Sequence, residues 1–228
     1  MAKRILYLLL PVLLLCACTE PIVRQAPVVV NETVSLGFFA FADGTPNFTP
    51  YYDKRTLVFE NEDGLTYTFQ MNQPILQSEY SYLKTFPHPD RSGEFIDYRY
   101  AGNRASFEFV CTELGAKLVV ALKPELCEDP QLNPEILPVD FLEIRGIGFN
   151  DGDVNLRDPA LAVDIKNNRP CPGGRRLGNI TLGGREFSNV TSERQELGNR
   201  YFEVYYSPEE GIVAFGTTYL FLVLKEAY

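Results

Sequence analysis

Residues 104 to 123 read RASFEFVCTELGAKLVVALK. Phe107, Phe109 and Cys111 fall on every second position, and Leu118, Val120 and Leu122 resume that period after a break near Leu114 and Gly115. Successive side chains leave a strand on opposite faces, so this period belongs to a strand with one covered face. The stretch therefore predicts an antiparallel hairpin, turning near Gly115, with those six residues buried.

The same scheme recurs on both sides. In TLVFENEDGLTYTFQM, residues 56 to 71, Leu57 and Phe59 share one face, and Leu65, Tyr67, Phe69 and Met71 share the returning one, with Asn61 to Gly64 as the turn. Further strands are expected at 33–41, 79–86, 94–100, 139–149, 178–190, 200–206, 212–216 and 219–224. YLFLVL, 219–224, is apolar on both faces, as in a strand covered on each side. Ser207, Pro208 and Gly211 suit a hairpin turn. No segment holds a 3.6-residue period over three turns. The expected fold is mainly β, an antiparallel β-sandwich or partly closed β-barrel with little helix.

The first residues carry a different signal. Lys3 and Arg4 precede an apolar run, ILYLLLPVLLL at 5–15, and no acid occurs before Glu20. This is a secretory pattern, and the run falls short of the about 20 residues a spanning helix needs. LLLCACTE, 13–20, resembles a bacterial lipobox, in which a small residue precedes a cysteine that is acylated and becomes the mature N-terminus. Cleavage before Cys18 puts Ala17 beside the scissile bond, whereas cleavage before Cys16 puts Leu15 there, so Cys18 is the expected lipid attachment. Thr19 follows it rather than the Asp that retains lipoproteins in the inner membrane, which, in a cell that has an outer membrane, implies outer-membrane sorting. The expected organisation is a signal peptide at 1–17, an acylated cysteine and Pro-containing tether at 18–27, and a single β-rich domain at 28–228 with a possible sub-boundary at 128–138.

With NITLGGREFSNV at 179–190 and YFEVYYSPEEGIVAF at 201–215, the chain resembles uncharacterised small outer-membrane lipoproteins of the Bacteroidetes group. The resemblance covers about a quarter of the chain and describes hairpins. Those relatives often end in a tryptophan-containing strand, and this sequence has no tryptophan. The resemblance implies an envelope lipoprotein and carries no catalytic residue across.

Losing residues 1–17 removes Lys3 and Arg4 and no acid, so 19 of the 21 basic residues face all 30 acidic ones, a net charge of −11. That balance argues against nucleic acid, whose phosphates need clustered Lys and Arg. Three cysteines remain after processing. An oxidising compartment permits one disulfide among them. Cys111 sits near the hairpin turn facing inward, and Cys127 lies beyond the other end, roughly 30 Å away at 3.3 Å per residue. Cys127 and Cys171, both in Pro-flanked loops, are the expected pair, with Cys111 a buried thiol.

Enzyme signatures are sparse. His88, the single histidine, sits in FPHPD with no metal-ligand spacing around it. Asp151, Asp153, Asn155 and Asp158 alternate like calcium ligands, but Leu156 stands where an EF-hand loop has glycine, so the reading is an Asx turn and no metal or other cofactor is assigned. Tyr51, Tyr52, Tyr80, Tyr82, Tyr98, Tyr100, Tyr201, Tyr205 and Tyr206 are candidates for stacking on sugars or filling an interface, against the plainer reading of half-buried strand residues. The sequons at Asn31, Asn47, Asn179 and Asn189 mean little beside a bacterial lipobox. The expected function is a non-enzymatic envelope lipoprotein, held to the membrane by its lipid, that binds a protein or glycan partner. Two alternatives stay open: a secreted hydrolase using paired carboxylates on polysaccharide, and a small-ligand carrier.

Overall fold

A computed structural model describes residues 30–42, 50–72, 75–126, 138–148, 161–170, 174–197 and 200–228. They form fourteen strands and no helix: β1 Val30–Phe39, β2 Thr56–Glu60, β3 Thr66–Met71, β4 Ile75–Pro87, β5 Phe95–Cys111, β6 Ala116–Glu125, β7 Val139–Ile147, β8 Leu161–Asp164, β9 Arg169–Pro170, β10 Arg175–Leu182, β11 Arg185–Leu197, β12 Arg200–Ser207, β13 Gly211–Thr217 and β14 Phe221–Ala227. They belong to one sheet ordered β10-β11-β12-β13-β14-β2-β3-β5-β6-β7-β8-β9, with β1 and β4 attached to β5. All pairs are antiparallel except β1 with β5. The mainly β expectation is met.

The hairpin at 104–123 forms in the expected register, with Phe109 opposite Leu118 and Phe107 opposite Val120. Phe107, Phe109, Cys111, Leu118, Val120 and Leu122 are all buried in the main core. Gly115 takes φ +58°, and its N–H donates to the Thr112 carbonyl, closing the turn. The β2–β3 turn closes on Asn61, whose Oδ1 accepts the N–H groups of Asp63 and Leu65. Leu65 itself is 57% exposed at that tip and does not join the core face predicted for it.

Two strand expectations change. Residues 94–100 and 105–111, read as separate strands, are one strand of 17 residues. Ile96, Tyr98 and Tyr100 are buried on its even face in a small core with Leu126, whereas Ala105, Phe107, Phe109 and Cys111 are buried on its odd face in the main core. The apolar phase slips by one at Gly102–Asn103 because the covering layer changes sides, not because the strand ends. Gly102 marks the crossing: a Cβ there would lie 2.5 Å from the Phe39 carbonyl oxygen and 2.6 Å from Pro124 Cγ. Residues 178–190, read as one strand, are instead parts of two, with the chain reversing at Gly183 and Gly184, both at positive φ.

The sheet curls so that its two wings face each other. Phe202 of β12 packs on Gly146 of β7, where a Cβ would come within 2.4 Å of the ring. Among the described residues no ladder joins the terminal strands, so the sheet is not closed into a barrel; side chains bridge the gap instead. Asn168 Nδ2 donates to the Asn189 carbonyl at 2.7 Å, Thr191 Oγ1 donates to Asn168 Oδ1 at 3.2 Å, and Arg176 donates to the Asn167 carbonyl at 2.9 Å. Asn168 and Asn189 both take left-handed φ values, which Asn tolerates better than most residues. β14, the strand apolar on both faces, lies between β13 and β2. Leu222 and Leu224 enter the main core, and Val223 packs with Phe187, Val190 and Val213 on the other side.

Candidate functional site

A cavity of about 620 Å³ opens where four distant segments converge: the end of β1, the start of β7, the turn from β8 to β9, and the turn from β12 to β13. Phe39, Pro138, Val139, Ile165 and Pro208 supply most of its apolar wall, and Asp140, Asp164, Lys166 and Glu209 its charges. The volume lies within the range of about 300–1,000 Å³ in which small ligands or a partner's side chains are received.

Two of its three acids, Asp140 and Asp164, are already engaged. Asp140 Oδ2 accepts the Ala42 N–H at 2.9 Å. Asp164, buried, accepts the Asn167 N–H at 3.2 Å and the Asn167 Nδ2–H at 2.7 Å, which shapes the turn after β8. In the ladder Asp164 stands opposite Phe141, one residue from Asp140, so the two carboxylates leave the β7–β8 pair from opposite faces.

A second polar assembly lies on the outer face of β4 to β7. Lys123 bridges Glu125 at 2.8 Å and Glu143 at 2.7 Å; Lys84 reaches Glu125 at 2.8 Å, and Arg145 reaches Glu143 at 3.2 Å. Burial alone would raise the Glu125 carboxyl, but Lys123 and Lys84 hold it below the ordinary value; burial would likewise lower the Lys123 ammonium, and Glu143 with Glu125 raises it. The chain of contacts ties β4 to β6 and β7, fixing the small core against the large one.

Tyr80, Tyr82 and Tyr100 adjoin these charges, with Tyr80 and Tyr82 centroids 5.1 Å apart and Tyr82 stacked on Tyr100 at 5.3 Å. The other tyrosine candidates are dispersed. Tyr51 and Tyr206 are buried in the main core, Tyr98 in the small one, Tyr201 lies under Arg194, and Tyr205 packs edge-on to Phe221. His88 is held in a surface turn, its Nδ1 accepting the Asp90 N–H, with the Arg91 guanidinium against the ring. Cys18, Cys127, Cys171 and the 151–158 cluster lie outside the described residues. Among the described residues, no three His, Cys, Asp or Glu side chains gather as metal ligands.

Sequence reasoning missed the cavity and the Lys123-centred network. The one legible signal for the network was Lys123, Glu125 and Glu143 on outward positions of otherwise apolar strands. Comparison with protein-family models, with curated proteins and with solved structures finds no match to this chain.

Proposed function

We propose that this chain is a lipid-anchored envelope protein of the outer membrane that acts by binding: a β domain tethered through Cys18 receives a protein or glycan partner in the cavity at the end of β1. The anchoring rests on the lipobox-like LLLCACTE. The binding reading rests on the direction of two carboxylates. A glycoside hydrolase needs its pair facing across about 5–9.5 Å of substrate space. Asp140 and Asp164 diverge from opposite faces, and each accepts a backbone N–H. A closed apolar box for a carried ligand is disfavoured by Val139, 39% exposed at the rim.

Placing a photo-crosslinking residue at Val139 in the full-length protein, in cells, tests this reading. One discrete adduct is expected, with no equivalent adduct from Leu65, exposed on the β2–β3 turn. Equal labelling from both positions, or none from Val139, contradicts it. The hydrolase reading instead requires that two of the cavity's three carboxylates act as a pair, so that at least two of Asp140→Asn, Asp164→Asn and Glu209→Gln abolish a polysaccharide-cleaving activity.

A further inference from the structure

The outer face of β4 to β7 carries charge opposite in sign to the chain as a whole. Lys84, Arg104, Lys117, Lys123 and Arg145 lie there with Glu108, Glu125 and Glu143, five cations against three carboxylates, on a protein of strongly acidic balance. Lys84, Lys117, Lys123 and Arg145 are joined in ion pairs with those acids. Arg104 is in none of these pairs: its guanidinium lies 4.9 Å from the Tyr80 ring centroid.

We propose that Tyr80 and Arg104 form a binding site for an acidic saccharide, a pyranose bearing a carboxylate. The guanidinium supplies a planar fork of donors that matches a carboxylate two bonds at a time. Tyr80, 39% exposed, supplies an aromatic surface for the apolar face of the sugar ring, and Tyr82 and Tyr100 continue that surface inward. A bare anion would use the guanidinium and leave the ring idle; a neutral sugar would use the ring and leave Arg104 unanswered. The site is separate from the acidic, apolar cavity at the end of β1, and it does not rest on that cavity's role.

The test is calorimetric titration of the full-length protein in neutral detergent with oligogalacturonate, a neutral maltooligosaccharide and inorganic phosphate. The expected result is binding of oligogalacturonate alone, weakened about tenfold or more by Arg104→Gln, weakened also by Tyr80→Ala, and unchanged by Arg99→Gln. Arg99 is an exposed cation on the opposite face of β5, so it controls for net charge. The proposal is overturned if the wild type does not bind, if the neutral sugar binds equally, if phosphate binds as tightly as the oligosaccharide, or if Arg99→Gln costs as much as Arg104→Gln. Should Arg104→Gln fail to fold, Tyr80→Ala decides: unchanged affinity in a folded variant overturns it.

Discussion

The phenolic oxygen of Tyr51 accepts the backbone N–H of Ile212, 161 residues further along the chain. The ring is fully buried against Phe107 and Phe109, and Gly211 beside it sits at φ +92°, where a Cβ would come within 2.6 Å of the hydroxyl. One side chain thus pins the start of β13 to the segment that leads into β2. Tyr206, also buried, has a hydroxyl with no partner among the described residues.

The two tyrosines should respond oppositely to the same change. Tyr51→Phe strands a buried N–H and is expected to lower stability by about 1–3 kcal/mol, whereas Tyr206→Phe removes an unpaired hydroxyl and should be neutral or stabilising. Urea denaturation of the purified variants checks both. Burial pushes both phenols upward. The folded state therefore keeps protons that the unfolded chain releases above about pH 10, and stability should fall as pH rises beyond that point.

Glu193 lies on β11 opposite Val204, facing the main core beside the gap between the wings, and burial pushes its carboxyl up to about 7. A carboxyl raised above its unfolded value favours folding below the ordinary glutamate range, and that contribution is lost as pH rises towards 7. Melting temperature should accordingly drop between pH 4.5 and 7.5 in the wild type, and Glu193→Gln should flatten that part of the profile. An unchanged slope in the variant would assign the titration to another group.

Gly102→Ala should destabilise by about 1–3 kcal/mol, because the added methyl meets the Phe39 carbonyl, which can yield only by loosening β1 from β5. Hydrogen exchange should show the loss concentrated in β1. A global loss without local opening would mean that the crossing does not depend on this glycine.

What the sequence made legible, and what it hid, follows from the range of the signals. Alternation at 56–71 and 104–123 is a local pattern, and it placed strands, turns and core faces because each hairpin closes on itself. The phase slip at Gly102–Asn103 was equally visible, but a shift of cover and a strand boundary leave the same trace. The cavity gathers Phe39, Asp140, Asp164 and Glu209 from four parts of the chain, and nothing near any one of them marks it among 30 acidic residues. The parallel pairing of β1 with β5 has no local signature either, since hairpin turns do not produce it.

Cys111 is a free, buried thiol, and burial raises its pKa. It should resist alkylation until the protein unfolds. Non-reducing peptide mapping is expected to return Cys127 linked to Cys171, and no disulfide peptide containing Cys111. A Cys111 disulfide would contradict the buried hairpin face, and three alkylatable thiols after unfolding would remove the expected bridge.

The anchoring claim meets its most direct measurement in the intact mass of the mature protein from the outer-membrane fraction, alongside fractionation of Cys16→Ser and Cys18→Ser variants. The mature chain is expected to begin at Cys18 with added acyl mass, with membrane retention for Cys16→Ser and release from the membrane for Cys18→Ser. An unacylated N-terminus, or release by Cys16→Ser with retention by Cys18→Ser, would contradict it.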